Sequence, residues 1–316
     1  MSNRVCKILG ITKPVIQAPL AWITSPKLCA AVSNAGGLGC LGINGGFKKP
    51  MKTIEDTIAE MRKSIREIKR LTNKPFAVNT FPSSIDPFGY AKYVVKLCKE
   101  EGVNIIVFAG DTDEKEISKL KEEGFTLITR EQNPTVRGAQ KAERAGADII
   151  VATGCDEGGT MPRLSTGTFS QVALISEAVK VPVLAAGGIV NEKMAKASAI
   201  VGAEGAFVGT RFILSEENPA SQITKNDILN THPDDYLVYT IMNGLARYRT
   251  TPHKIGREGI LANKNGDFNP TIGSFYEGML KGNLDAGVNS VSNLAPLIKS
   301  IDPCKKIVEE IARGYL

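Results

Sequence analysis

Residues 182–212 read PVLAAGGIVNEKMAKASAIVGAEGAFVGTRF, and this stretch holds one whole unit of the fold. It opens on an apolar run, PVLAAGG (182–188), and closes on a second, GAFVGTRF (205–212). Between them, NEKMAKASAIVG (191–202) has Asn191 as a helix N-cap and Gly202 suited to the left-handed closing conformation. Apolar runs without apolar–polar alternation fit parallel strands buried on both faces. The unit is strand, helix, strand.

The same grammar extends back to residue 14. Further runs stand at PVIQAPL (14–20), LGCLGI (38–43), FAVNTF (76–81), NIIVFAG (104–110), FTLITR (125–130) and DIIVATG (148–154). Residues 53–71 place Ile54, Ile58, Met61, Ile65, Ile68 and Leu71 on one helical face. Segment 133–146 carries Asn133 as an expected N-cap, Pro134 at the first helical position and Gly146 at the end. Strands alternating with helices define an α/β chain. Eight of them, with no GxGxxG after the first, favour a (β/α)8 TIM barrel over an open doubly wound sheet.

In such barrels, chemistry gathers where strands end. Gln17 to Ala21, Asn79, Arg130, the Gly154–Thr160 cluster, Gly187–Gly188 and Gly209–Thr210 all fall there. Runs seven and eight both end in glycine. Glycines at neighbouring strand ends let backbone N–H groups approach an anion, and barrels often hold phosphate at this place.

Composition narrows the classes. The 316 residues are 42% hydrophobic and 23% charged, as in a folded globular chain. Nothing nears the ~18 consecutive apolar residues of a membrane span, and no apolar secretory stretch opens the chain, so a cytoplasmic location is expected. The net charge of +6 is spread along the chain, which argues against nucleic acid. Six scattered cysteines imply reduced thiols, and two histidines exclude a histidine-rich metal site.

Particular motifs carry a resemblance. APLAW (18–22), AGGLGCLG (35–42), VNTF (78–81), GADIIVATGCDEGG (146–159), VPVLAAGGI (181–189) and GAEGAFVGTRF (202–212) resemble the 2-nitropropane dioxygenase or nitronate monooxygenase family. That family also takes in flavin-dependent enoyl-acyl-carrier-protein reductases. The resemblance implies FMN, with Ala18, Pro19 and Leu20 beside its ring, Asn79 at the ring's polar edge and Gln132 near a position that contacts flavin in the family. It places Gly154, Gly159, Gly187, Gly188, Gly209 and Thr210 around the phosphate. Many relatives carry GxExGGH after strand six; here the string is GCDEGGT, with Thr160 in the histidine position. A hydroxyl cannot replace imidazole as a base near neutrality. The candidate catalytic residues are therefore Thr160, Glu157 and Asp156, with Cys155 a further nucleophile.

The resemblance implies a nitronate oxidase using dioxygen. A nitronate has already lost its α-proton, so a site without a strong base suits it. The alternatives are NAD(P)H-dependent enoyl reduction, with an acyl-carrier protein as partner, and a non-catalytic flavin-binding protein. A homodimer is compatible with either enzyme. The expected boundaries are a barrel at 1–215, a lid or insertion at 216–285, and C-terminal helices at 286–316. Within the last two, helices are expected near 275–281 and 293–300. Arg247, Arg249 and His253 are outside candidates for anion contact. The final helix should bury Ile307, Val308 and Ile311.

Overall fold

The computed structural model of the protein describes residues 3–316. Its strands are β1 (Val15–Gln17), β2 (Gly39–Leu41), β3 (Phe76–Thr80), β4 (Ile105–Ala109), β5 (Thr126–Arg130), β6 (Ile149–Thr153), β7 (Gly159–Pro162), β8 (Val183–Ala186), β9 (Gly205–Val208), β10 (Leu237–Ile241) and β11 (Ala246–Thr250). Eight of them form one parallel sheet in the order β1-β9-β8-β6-β5-β4-β3-β2. Its two outer strands meet through a parallel bridge at Ile16 and Leu38. There Gln17 N donates to Leu38 O and Leu38 N to Val15 O, both at 2.9 Å. The sheet closes into the expected (β/α)8 barrel, so no edge remains unpaired.

The unbroken apolar runs now have a reason. Successive side chains point alternately inward and outward, and both directions are buried. Ile16, Leu38, Cys40, Val107, Ile149 and Val151 pack within one cluster. Ile106, Phe108, Ile150 and Ala152 face a second, shared with the surrounding helices. The long helix Ile54–Leu71 lays Met61, Ile65 and Ile68 on that outer layer, while its Leu71 stays exposed. Thr53 caps it by accepting from Asp56 N. Asn191 caps the helix Glu192–Ile200, accepting from Met194 N at 3.0 Å.

The other capping expectation is corrected. The helix after β5 runs Val136–Arg144 with Thr135 as its cap, not Asn133. Thr135 Oγ1 accepts from Gly138 N at 2.9 Å, while the Glu131 carboxylate takes the Thr135 amide. Asn133 is thereby freed to reach elsewhere: Nδ2 donates to Leu245 O at 3.0 Å and Oδ1 accepts from Arg163 N at 2.7 Å.

After β9 the chain holds more regular structure than its turn dipeptides suggest. Strands β10 and β11 form a hairpin, and β11 pairs antiparallel with β7, setting Tyr248 opposite Thr160 and Arg249 opposite Gly159. Helix Lys254–Lys264 ends at Asn265–Gly266, so that Asn-Gly pair closes a helix. The helix expected near 275–281 is a π-helical turn, Tyr276–Leu280, and that near 293–300 is a single 3₁₀ turn, Ala295–Leu297, containing Pro296. The final helix, Cys304–Ala312, buries Ile307, Val308 and Ile311 as expected. Among the described residues, no helix is long and apolar enough to cross a membrane.

Candidate active site at the strand ends

A cavity of about 460 Å³ opens where the barrel strands end. Ala18 to Ala21 after β1, Asn79 in β3, Arg130 in β5, Gly187 and Gly188 after β8, and Gly209 and Thr210 after β9 all line it. Its volume falls within the ~300–1,000 Å³ typical of cofactor sites.

Two adjacent turns form its glycine side. Strands β8 and β9 are paired, with Ala186 beside Phe207, so the turns following them are neighbours. Gly187 and Gly188 have φ of 98° and 74°, a region where a side chain is strained. Among the described residues, the amides of Gly188, Thr210 and Arg211 have no backbone acceptor. Amides at the opening of a helical turn lack intrahelical partners and attract anions. The three glycines differ in what fixes them. A Cβ on Gly187 would meet Thr168 Oγ1 at 2.7 Å, and one on Gly188 would meet Leu294 Cδ1 at 2.7 Å. A Cβ on Gly209 would meet nothing nearer than Leu20 Cδ2 at 4.0 Å, so packing does not demand that glycine.

A charged pair also lines the cavity. Arg130 Nη2 donates to both Glu157 carboxylate oxygens, at 2.7 and 2.9 Å, and Nη1 donates to Gln132 Oε1 at 3.1 Å. Only 15% and 16% of the Arg130 and Glu157 side-chain surfaces stay accessible. Burial pushes the Glu157 carboxyl up to about 7, outweighing the downward pull of Arg130. Glu157 thus changes charge near neutrality. Arg249 Nη1 fixes the loop by donating to Glu157 O at 2.6 Å.

Other cavity groups are poised as single donors or acceptors. Asn79 spends both Nδ2 hydrogens on Thr80 O and Val107 O, each at 3.1 Å, which leaves its Oδ1 as an acceptor. Gln132 Nε2 is buried without a partner, an arrangement that costs about 1–3 kcal/mol unless a ligand relieves it. Thr210 Oγ1 accepts from Ser292 N at 3.1 Å and keeps its own proton to donate.

Several sequence candidates lie elsewhere. Gly154 and Gly159 do not line the cavity; a Cβ on Gly154 would sit 2.2 Å from Thr168 N, so this glycine serves close packing. Asp156 spends its carboxylate on Thr168 N, 2.6 Å, and Asn293 Nδ2, 2.8 Å. Thr160 lines the cavity from β7, whereas Cys155 does not. Arg247 is held by Pro162 O and Leu164 O, and His253 Nε2 meets Asp227 Oδ1 at 2.9 Å. Residues missed by the sequence reading are Met242, Leu245, Ser290 and Ser292, which reach the cavity from beyond the barrel. Strand alternation in ARYRT was the available signal for the hairpin that carries the first two.

A closed parallel barrel with glycine turns and a desolvated acid gathered at its C-terminal rim has the arrangement of a barrel enzyme. The comparisons narrow this class. The nitronate monooxygenase family profile matches residues 2–314. The probable nitronate monooxygenase of Staphylococcus aureus (strain JH9) is 34% identical over 288 residues, covering 78% of this chain and 77% of that relative. Among solved structures, FabK from Thermotoga maritima has a TM-score of 0.86 at 32% identity, covering 100% of this chain and 96% of that one. Nitroalkane oxidase from Streptomyces ansochromogenes has a TM-score of 0.72 at 22% identity, covering 96% of each chain, a likeness of fold. The chain belongs to the nitronate monooxygenase family, whose members are in general flavin-dependent oxidoreductases.

Proposed function

We propose that the chain binds FMN with its phosphate between the turns after β8 and β9, and oxidises preformed alkyl nitronates with dioxygen. The residues fit this cofactor. The free amides of Gly188, Thr210 and Arg211 and the Thr210 hydroxyl suit a dianionic phosphate. Ala18, Pro19 and Leu20 supply an apolar wall for a flat ring, and the orphaned Gln132 Nε2 and the Asn79 Oδ1 supply one donor and one acceptor. FMN, when bound, supplies two-electron acceptance and reaction with dioxygen. Residues 1–215 are read as the cofactor barrel, 216–285 as a lid and 286–316 as the segment packing back on it.

One observation carries the substrate reading: a cavity-lining Arg130 is paired with an acid whose charge is lost near neutrality. With Glu157 protonated, Arg130 is free to hold a nitronate oxygen. Thr160 in place of imidazole is no base, and Glu157 is protonated or else has both carboxylate oxygens engaged by Arg130, so the anion is the preferred substrate. Glu157 then orients Arg130 and sets the charge the anion meets. The test compares turnover of preformed nitronate and of the neutral nitroalkane at neutral pH. Much faster turnover of the nitronate is expected; equal rates refute the reading.

A second reading, NAD(P)H-dependent enoyl-acyl-carrier-protein reduction, draws on the apolar mouth. Ile85, Met242 and Leu245 line the cavity yet stay 49%, 40% and 59% exposed, which suits an acyl chain. Anaerobic titration separates the two. Loss of the yellow flavin absorption with nitronate supports oxidation; loss with NADH or NADPH alone supports reduction.

A further inference from the structure

Beside the main cavity lies a second one of about 220 Å³. Asn133 and Leu245 line both, so the two spaces adjoin across these residues. Asn133 is held there by its bonds to Leu245 O and Arg163 N, which tie the loop after β5 to the hairpin tip and to the end of β7. The lining of the smaller space is largely apolar, with Pro134, Pro162 and Leu164 joining Leu245. No carboxylate faces it, and the one cation, Arg163, is exposed.

Of the polar residues in the lining, two are buried. Thr153, at the end of β6, also lines the space; it is 1% exposed, and its Oγ1 has no hydrogen-bond partner. Gln171, 6% exposed, ties Nε2 to Pro134 O at 3.2 Å, which leaves its oxygen as an acceptor. Buried hydroxyls are almost always paired, so an unpaired one lining a cavity points to a missing partner. A dry cavity of ~150 Å³ accommodates benzene, so one of this volume takes on the order of eight heavy atoms.

We propose that this side cavity binds the tail of the substrate: an uncharged, linear aliphatic chain whose far end carries one hydroxyl or carbonyl within reach of Thr153 and Gln171. The proposal rests on the nitronate reading for the reacting end, which lies in the main cavity. The chain crosses by displacing the bond from Asn133 Nδ2 to Leu245 O, and its methylenes are buried among Pro134, Pro162 and Leu164. Two features agree with this geometry: the shared wall, and the absence of charge from the interior of the smaller space.

The test uses the flavin-loaded protein, Thr166→Phe to fill the side cavity from a half-buried lining position, and Thr153→Val to remove the hydroxyl alone. The readout is the ratio of kcat/KM for the nitronate of 1-nitrohexane to that of nitroethane. Each buried methylene is worth roughly fourfold, so the native ratio should be on the order of 100 and fall below about 10 in Thr166→Phe. A ratio that the filling does not change overturns the proposal. Binding of 1-hexanol to the same holoproteins gives a reading independent of turnover. Saturable binding that Thr166→Phe abolishes and Thr153→Val weakens by about fivefold, one hydrogen bond, supports the cavity. Absence of binding to the native protein, or binding indifferent to both changes, overturns it. Thr153→Val should also hold or raise the melting temperature, which separates lost contact from lost fold. If no nitronate is turned over yet 1-hexanol binds in this pattern, the nitronate reading fails and the aliphatic site stands.

Discussion

Replacing Glu157 by Gln tests how the charged pair controls activity. In the native protein the carboxyl titrates near 7, because burial raises it more than Arg130 lowers it. Below that value Arg130 faces a neutral partner and attracts a nitronate; above it the anion meets a carboxylate. If the protonated form alone binds, kcat/KM falls about tenfold for each pH unit above 7. The fall has a floor. Two like charges about 5 Å apart at an effective dielectric of about 20 repel by roughly 3 kcal/mol, on the order of 100-fold. The native profile should therefore be level below pH 7, descend, and flatten roughly two decades lower. Glu157→Gln removes the titrating group and keeps the shape, so its profile should stay level across that range. The assay is oxygen consumption with preformed nitronate from about pH 6 to pH 9, mixed fast enough to outrun reprotonation. A flat native profile, or a descent that persists in the Gln variant, refutes the reasoning.

Further outcomes follow from the same contacts. Because the folded chain keeps a proton on Glu157 that the unfolded chain has released between the ordinary 4.5 and about 7, stability should fall as pH rises through that window, by up to roughly 3 kcal/mol. Denaturant titrations at the two ends of the window should show a smaller difference for Glu157→Gln; an unchanged difference counts against the assignment. Gly209→Ala should keep the native melting temperature yet lose about tenfold or more in FMN affinity, since its Cβ enters open space in the cradle. Gly154→Ala should do the reverse and lower the melting temperature, because its Cβ would collide with Thr168 N; matching phenotypes for the two would contradict the placement. Burial opposes ionisation of Asp302, but hydrogen bonds from Lys306, Ser300 and Arg211 prevail and hold its carboxyl at about 2. That stabilisation is present above the ordinary 3.8 and is lost as pH falls through about 2. Asp302→Asn strands Arg211, which is 4% accessible, at a cost of about 3–5 kcal/mol or on the order of 10 °C by calorimetry. A change within 2 °C or so would show the pair to be dispensable.

The barrel was legible because parallel strands bury both faces and so write themselves as unbroken apolar runs. The cap at Asn191 was legible for the same local reason, a side chain reaching the next turn. Asn133 looked equivalent but is claimed by Leu245 O, 112 residues away in sequence, a contact no local pattern reveals. The hairpin β10–β11 was hidden by its own chemistry. Arg247 and Arg249 alternate with buried Ala246, Tyr248 and Thr250, so the segment reads as charged and turn-rich although one face is core. Met242, Leu245, Ser290 and Ser292 were missed with it. Glu157 and Asp156 were indistinguishable in GCDEGGT; burial against Arg130 sets one apart, and bonds to Thr168 and Asn293 occupy the other.

Two neighbouring glycine turns are proposed to grip the FMN phosphate. Equilibrium titration of the flavin-free protein with FMN and with riboflavin, which lacks the phosphate, tests it most directly. Several charge-assisted hydrogen bonds at about 1.5–3 kcal/mol each predict that FMN binds at least about 1,000-fold more tightly. Equal affinity for the two would place the phosphate outside the cradle and contradict the account.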